Sequence, residues 1–293
     1  MSHSMELLFT GANGFLGRHV AAVVAEEGVR AVPWLRRGDA AGAERAPLED
    51  AAAVRRALER RRPSAVLHLA ARADVGACLA DPEGALAVNA ELPARLAAAC
   101  AELGVRFVHL STDMVFDGTR APYAESDLPR PLSTYGRSKR AGEEAVLAAH
   151  PAALVVRLPL LFGDGLGLAR GATEGLRRAL ANGGTAKLFR DERRSALHAR
   201  DAARALITLS RATCSGLLHV AARDALSRHE LGLALAARAG LESGRIEAIA
   251  QAQVPSAEPR PSDLELDVRR ALALGLALPS VREGVERDGA RPR

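Results

Sequence analysis

The sequence predicts an α/β fold in which helices cover both faces of a doubly wound parallel sheet. Short apolar runs alternate with longer segments of helical spacing as far as residue 158, and a glycine-rich loop joins the first run to the first helix. Parallel strands need helical crossovers, so this alternation favours a parallel sheet over a series of hairpins. We therefore expect a sheet domain over residues 1–158. A smaller C-terminal substrate lobe is expected over 159–293, of which about 195–222 returns to the first domain.

The predicted elements follow in order along the chain. The strands of the first domain are short apolar runs at 6–9, 30–34, 65–69, 106–110 and 153–157. Its helices repeat apolar residues at helical spacing, at 15–27, 49–60, 83–103 and 137–149. Gly28, Pro63 and Gly104 follow three of these helices, as residues that end helices do. The lobe is predicted to form one strand at 217–220 and helices at 170–181, 201–211, 227–239 and 265–274.

Composition and charge exclude several classes of protein. Of the 293 residues 48% are hydrophobic, as in a folded globular chain. No apolar run reaches the ~18 residues that cross a membrane, and no basic and then apolar leader opens the chain, so we expect a cytoplasmic protein without a membrane partner. The net charge is +5, but arginines mix with Asp and Glu along segments such as 49–62, which argues against a nucleic-acid partner. The three cysteines are scattered, and neither disulfides nor a metal site are expected.

The glycine-rich loop predicts a site for a dinucleotide. It follows the first strand and opens the first helix, the context in which such a loop carries weight. Gly11 permits the tight turn, Gly14 lets the backbone approach a pyrophosphate, and Gly17 lets helix and strand pack closely. The helix N-terminus then presents its N–H groups to the phosphates. The residues expected to contact the cofactor in this Rossmann-type domain are Gly11, Asn13, Gly14, Phe15, Leu16 and Gly17.

Two arginines indicate which dinucleotide binds. A site for NAD places Asp or Glu after the second strand, where it holds the ribose 2′-hydroxyl. This chain has Arg36 and Arg37 there. Arginine suits the additional 2′-phosphate of NADP through its charge and its forked hydrogen bonds. The alternative, a pair of surface arginines in an arginine-rich chain, stays open at this point.

A tyrosine and a lysine four residues apart form the catalytic candidate. Only two of the 40 basic residues are lysines and only two tyrosines exist, yet Tyr135 lies four places before Lys139. On a helix both side chains share one face. The ammonium favours the phenolate and lowers the pKa of a tyrosine toward neutrality, as an acid–base catalyst requires. Thr112 follows the strand at 106–110, where its hydroxyl can hydrogen-bond a substrate oxygen.

These motifs resemble the extended short-chain dehydrogenase/reductase superfamily and occur in its order. They are the loop at 10–17, His68-Leu-Ala-Ala71, Asn89, Thr112 and Tyr135-x-x-x-Lys139. Within the superfamily the chain looks most like the dTDP-4-dehydrorhamnose reductase branch, at 110–118, 122–127, 131–143, 194–201 and 226–230. The segment 157–163 is similar to a side branch that includes the regulatory β subunit of methionine adenosyltransferase.

The resemblance implies a role for each matched residue. Tyr135 donates a proton to a carbonyl oxygen, Lys139 binds the nicotinamide ribose and tunes Tyr135, and Thr112 orients the carbonyl. Further residues implied to line the cofactor are Leu48, Ala70, Ala71 and Asn89. Those implied to line the substrate are Asp113, Met114, Leu160 and His198. Met114 and Leu160 stand where the rhamnose branch usually has a tyrosine and a tryptophan, so the sugar itself is not predicted.

The resulting hypothesis is an oxidoreductase that uses NADPH to reduce a keto group on a nucleotide-linked deoxysugar or a related small polar metabolite. One alternative is an NADP-binding regulatory subunit without turnover. Another is a sugar-nucleotide epimerase or dehydratase, ranked last because Asp113 is the only acidic neighbour of Thr112 in the motif. The expected partner is a nucleotide sugar, and the chain is expected to be a monomer or a homodimer.

Overall fold

A computed structural model describes residues 6–35, 42–169 and 171–288. Elements are numbered in chain order. The strands are β1 Leu7–Thr10, β2 Ala31–Trp34, β3 Ala65–His68, β4 Arg106–Thr112, β5 Leu154–Leu158, β6 Leu161–Phe162, β7 Ala186–Phe189, β8 Arg193–Arg194, β9 Leu197–His198, β10 Gly216–His219, β11 Leu226–Ser227, β12 Ile246–Ile249 and β13 Asp263–Leu264. The helices are α1 Phe15–Glu26, α2 Ala51–Arg61, α3 Val75–Ala80, α4 Pro82–Leu86, α5 Leu92–Glu102, α6 Thr134–Ala149, α7 Ala172–Leu180, α8 Ala199–Arg211, α9 Arg228–Ala239, α10 Arg269–Ala273 and α11 Val281–Glu286. Arg36 and Arg37 lie outside the described residues.

The main sheet has six strands in the order β10-β5-β4-β3-β1-β2. β1 pairs in parallel with β2 and β3, and β3 pairs in parallel with β4. The chain winds one way from β1 to β2 and then the other way from β3 onward. The loops after β1 and β3 therefore leave neighbouring strands at the reversal, which is where open α/β sheets bind ligands. The predicted fold class, a doubly wound parallel sheet, is confirmed.

The sheet forms because its strands are apolar enough to be covered on both faces. Every residue of β1 and β3 is buried. On one face, Leu8, Val66, Phe107 and Val155 belong to a core cluster completed by residues of α2, α5 and α6. Strands that are buried on both faces read as continuous apolar runs, which is why they stood out in the sequence.

Packing divides the chain into two compact units. The first contains residues up to 112 together with 134–157 and 203–218, and the second contains 113–133, 158–202 and the chain from 219 on. The second unit has three small sheets, with strand orders β11-β8-β13, β12-β7 and β6-β9. Its core includes Phe162, Leu176, Leu231 and Val281. The boundary at 158 and the return of about 195–222 stay predictions.

Two predicted helices differ from those observed. The helix predicted at 83–103 is continuous but not uniform, because a π-helical turn at Ala87–Glu91 separates α4 from α5. The helix predicted at 265–274 is reduced to α10, because the backbone of Glu265 and Asp267 is hydrogen-bonded to Tyr123 in an extended bridge instead. In the residues that the structure describes, every helix is too short or too polar to cross a membrane.

Candidate active site

The loop after β1 is so tight that two of its glycines admit no side chain. Gly11 has a φ of +71°, and a Cβ added there would lie 2.8 Å from the backbone nitrogen of Ala70. A Cβ added to Gly17 would lie 2.1 Å from the carbonyl oxygen of Gly11. α1 therefore packs directly on the loop. Its N-cap residue, Gly14, has no side chain, so the N–H groups of the first turn suit a phosphate.

The remaining loop residues form the outer side of this turn. Asn13 and Gly14 are exposed, and Phe15 and Leu16 are partly buried in the first turn of α1. The nitrogen of Gly14 donates to the Gly11 oxygen at 2.9 Å, which closes the turn. The loop thus presents backbone to a ligand, as the glycine pattern predicted, while the individual cofactor contacts stay predictions.

Thr10 joins this loop to the one that follows β3. Its hydroxyl oxygen accepts hydrogen bonds from the backbone nitrogens of Leu69 and Ala70, each at 3.1 Å. Its proton is then directed to Nδ1 of His68, 2.9 Å away. His68 is neutral, because burial and the charge of Lys139 lower its pKa to about 3. No separate role was predicted for Thr10 from the sequence, and His68 is buried on β3.

Asn89 holds the same loop from the other side. Its Oδ1 accepts from the backbone nitrogen of Arg72 at 2.9 Å, and its Nδ2 donates to the Arg72 oxygen and to Oγ of Ser138, both at 2.9 Å. Asn89 lies in the π-helical turn, a feature that is frequent at functional sites. Its amide positions the segment that contains Ala70 and Ala71, so any effect on a cofactor is exerted through that segment.

Lys139 is bound to the end of β4. It is buried, and its Nζ donates to the carbonyl oxygen of Leu110 at 2.5 Å. Thr112 is the last residue of β4 and is buried, while Tyr135 lies one helical turn before Lys139 and is half-buried. Burial lowers the pKa of Lys139 to about 8, and the neighbouring Glu143 and Cys78 oppose that shift, Glu143 the more strongly. The structure thus brings the lysine of the predicted pair to the strand that carries the predicted threonine.

Two histidines near Lys139 add no positive charge to its surroundings. His68 and His109 are opposite each other in the β3–β4 register, with ring centroids 5.5 Å apart. Burial, the charge of Lys139 and the neighbouring His68 lower the pKa of His109 well below its usual value. Both histidines are therefore neutral near pH 7. Among the described residues, no group of three His, Cys, Asp or Glu side chains could hold a metal ion.

One feature of α6 was missed by the sequence reasoning. Glu143 lies one turn after Lys139 and is buried, and its two oxygens accept from Nε and an Nη of Arg157, each at 2.8 Å. The sequence signal was the four-residue step from Lys139 to Glu143. The partner could not be read, because Arg157 lies on β5 and only the fold brings it to α6.

The second unit holds the residues predicted to line the substrate. Asp113 is buried and accepts from Arg194 at 3.1 Å. His198 is buried, with its Nε2 3.7 Å from Oδ1 of Asp288. Leu160 packs against the core of this unit, and Met114 is partly buried. Asp113 and His198 thus have protein partners, and the four substrate contacts stay predictions.

Leu48, the remaining predicted cofactor residue, is partly buried and packs against the core cluster under α2.

Tyr123 is a structural anchor. Its hydroxyl donates to Asp117 at 2.6 Å and accepts from the backbone nitrogens of Thr119 and Arg120 at 2.8 and 3.1 Å. Tyr123 therefore does not compete with Tyr135 for the catalytic role.

Comparison with known proteins supplies the family. The model of the RmlD substrate binding domain matches residues 5–289. A dTDP-4-dehydrorhamnose reductase of Mycobacterium tuberculosis is 36% identical over 93% of this chain and 88% of its own length. A methionine adenosyltransferase 2 subunit beta of Bos taurus is 30% identical over 92% of this chain and 82% of its own.

A solved structure confirms the fold. The dTDP-4-dehydrorhamnose reductase of Bacillus anthracis in complex with NADP superimposes with a TM-score of 0.86, at 24% identity and over 98% of each chain. The predicted resemblance to the dTDP-4-dehydrorhamnose reductase branch, and to the side branch with the adenosyltransferase subunit, is confirmed by these relatives. The chain belongs to the RmlD substrate binding domain family.

Proposed function

We propose that this protein is an oxidoreductase that uses NADPH to reduce a keto group on a nucleotide-linked deoxysugar, with Tyr135 as the proton donor. The observation that carries the proposal is the placement of Lys139, which is buried on α6 one turn after Tyr135. Its Nζ donates to the oxygen of Leu110, two residues before Thr112 on β4. The 36% identical relative, named as a dTDP-4-dehydrorhamnose reductase, supports the reaction class.

The loop after β1 fits a dinucleotide cofactor. Gly11 and Gly17 leave backbone where a Cβ would stand, and the N-terminus of α1, with Gly14 as its N-cap residue, suits the pyrophosphate. The segment at Ala70 and Ala71, held by Asn89, would line the other side of the cofactor. Arg36 and Arg37 remain the expected contacts of the 2′-phosphate. When bound, NADPH supplies the hydride that the substrate carbon receives.

Three side chains of the protein would bind and protonate the substrate oxygen. The Thr112 hydroxyl donates a hydrogen bond to the carbonyl oxygen and orients it. Tyr135 gives its phenolic proton to that oxygen as the carbon is reduced, which leaves a phenolate on the enzyme and an alcohol on the sugar. The ammonium of Lys139 stabilises the phenolate by its charge, and solvent then returns a proton to Tyr135.

The test is turnover of NADPH with a panel of 4-keto-sugar nucleotides. Tyr135→Phe is expected to lower turnover about 10²–10⁴-fold, the usual contribution of general acid catalysis, while NADP affinity stays unchanged. Tyr123→Phe is the matched control, because it removes the chain's other tyrosine and is expected to keep turnover per folded molecule. Wild-type turnover in Tyr135→Phe would show that the proton comes from elsewhere.

Cofactor choice is tested separately. Replacing both Arg36 and Arg37 with Ala is expected to weaken NADPH binding and leave NADH binding little changed, since only NADPH carries the 2′-phosphate. A wild-type preference for NADH would contradict the assignment of these arginines.

The second candidate is an NADP-binding regulatory subunit without turnover. It is favoured by the 30% identity to the methionine adenosyltransferase subunit beta and by Leu160 in place of an aromatic residue. Tight NADP binding, no reduction of any keto-sugar nucleotide and co-purification with an enzyme partner would support it. The epimerase or dehydratase alternative is not favoured, because a buried ion pair with Arg194 holds Asp113.

A further inference from the structure

The buried carboxylate of Glu143 has no part in the reaction as proposed, yet it shares a helix face with both catalytic candidates. It follows Lys139 by four residues and Tyr135 by eight, so the three side chains stack along one side of α6. Glu143 is 1% exposed and Arg157 is 0% exposed. A pair so completely removed from water differs from the surface ion pairs of this arginine-rich chain.

The geometry of the pair fixes the helix. Arg157 offers Nε and an Nη to the two carboxylate oxygens, each at 2.8 Å, which is the forked arrangement that holds both partners in one orientation. Arg140 adds a contact at 3.3 Å from the same helix. Because Arg157 lies on β5, the fork ties the turn that follows Lys139 to the sheet.

Burying two charges is a weak source of stability, because the loss of hydration offsets the attraction between them. The position of the pair therefore needs another reason, and Lys139 provides one. Burial disfavours the ammonium of Lys139, and the charge of Glu143 is the largest influence that opposes burial. The fork with Arg157 holds the carboxylate of Glu143 in one position on the helix face that carries Lys139.

The other groups around Lys139 do not replace that charge. Cys78 of α3 is a buried thiol whose Sγ donates to the Arg72 oxygen. His68 and His109, on β3 and β4, are neutral near pH 7. Removing Glu143 would therefore take away the largest influence that favours the ammonium of Lys139.

We propose that Glu143, held by Arg157, is a positioning residue for the catalytic pair. Its charge keeps Lys139 protonated beside Tyr135, and its fork fixes the helical turns that carry both side chains. This inference rests on the proposed function for its meaning in catalysis, but the state of Lys139 can be measured without substrate or cofactor.

The composition of the chain allows a direct measurement. Lys139 and Lys187 are the only lysines, so labelling with [ε-¹³C]lysine gives two side-chain signals in an NMR titration. Lys187 is exposed and serves as the internal reference, and Lys187→Arg assigns the signals. The wild-type Lys139 signal is expected to titrate with a pKa of about 8.

The decisive variant is Glu143→Gln combined with Arg157→Gln, which removes both charges and leaves neither partner buried alone. The midpoint of Lys139 is expected to fall by about one pKa unit or more, the low end of the effect of a neighbouring opposite charge. Glu144→Gln is the matched control, since it removes an exposed carboxylate at the next position and is expected to leave the midpoint unchanged. An unchanged midpoint in the folded double variant would overturn the inference.

Should the double variant not fold, Glu143→Gln alone decides the question, because it removes the negative charge and keeps an amide oxygen that can accept from Arg157. A lower Lys139 midpoint in that variant supports the inference, and the wild-type midpoint refutes it. Turnover adds a second readout: the alkaline limit of kcat is expected to fall together with the Lys139 midpoint. If no keto-sugar nucleotide is reduced, the proposed function fails while the titration still decides the role of Glu143.

Discussion

Replacing Gly17 with alanine is expected to separate α1 from the loop that it closes. The added Cβ would lie 2.1 Å from the Gly11 oxygen and 2.7 Å from Cα of Ala12, and both obstacles are backbone. Ordinary contact begins near 3.4 Å, so the helix must move by about 1.3 Å. Overpacking of this kind costs about 1–3 kcal/mol, a sizeable part of the roughly 5–15 kcal/mol that stabilises a protein.

The assay is the free energy of unfolding from urea denaturation, followed by NADP binding in calorimetry. A displacement that removes about 1.4 kcal/mol from cofactor binding weakens it about tenfold. Gly175→Ala is the control, because Gly175 also lies in a helix but an added Cβ meets nothing within 4 Å. That change is expected to stabilise the protein by about 0.5–1 kcal/mol. Equal stability of Gly17→Ala and the wild type would refute the packing argument.

Three further substitutions have defined outcomes. Burial lowers the pKa of Lys139 from 10.5 to about 8 in the folded protein. The buried ammonium therefore destabilises the folded state fully below pH 8, and this destabilisation is relieved as the pH rises toward 10.5. The free energy of unfolding should rise by up to about 3 kcal/mol over that window, and Lys139→Met should abolish the rise; a variant with the same rise would show that another group titrates. Asn89→Ala removes both partners of the Arg72 backbone and should lower the free energy of unfolding by about 1–3 kcal/mol. It should also weaken NADP binding, which the loss of a residue remote from the cofactor would not do. Tyr123→Phe should cost a similar amount by denaturation, because two backbone N–H groups lose their acceptor.

The sequence revealed those parts of the fold that depend on local pattern. β1 and β3 are wholly buried and so read as unbroken apolar runs. The glycines of the first loop were legible because steric demands at Gly11 and Gly17 leave no other residue a place. In both cases one physical constraint, burial or lack of space for a side chain, acts on neighbouring positions. The resulting sequence pattern can be recognised without knowing the rest of the fold.

Contacts between distant elements left no such pattern. α3 was also not predicted, although its cap is local: Asp74 accepts from the nitrogen of Ala77. The π-helical turn around Asn89 lies within an alanine-rich run, and the pairing of the Asn89 amide with the backbone of Arg72 depends on how the fold brings the two segments together. The ion pair of Glu143 and Arg157 likewise depends on how α6 lies on β5.

The interleaved segments of the two units have a consequence for synthesis of the chain. The edge strand β10 lies at Gly216–His219, far after β5 along the chain. The six-stranded sheet can therefore be completed only after most of the polypeptide has left the ribosome. Contacts between residues so distant in sequence slow folding, because a long loop must be closed first. A fragment that stops at residue 158 would expose the bare edge of β5, and we expect it to aggregate. We therefore expect that the segment that holds Thr112, Tyr135 and Lys139 cannot be produced in folded form without the residues of β10.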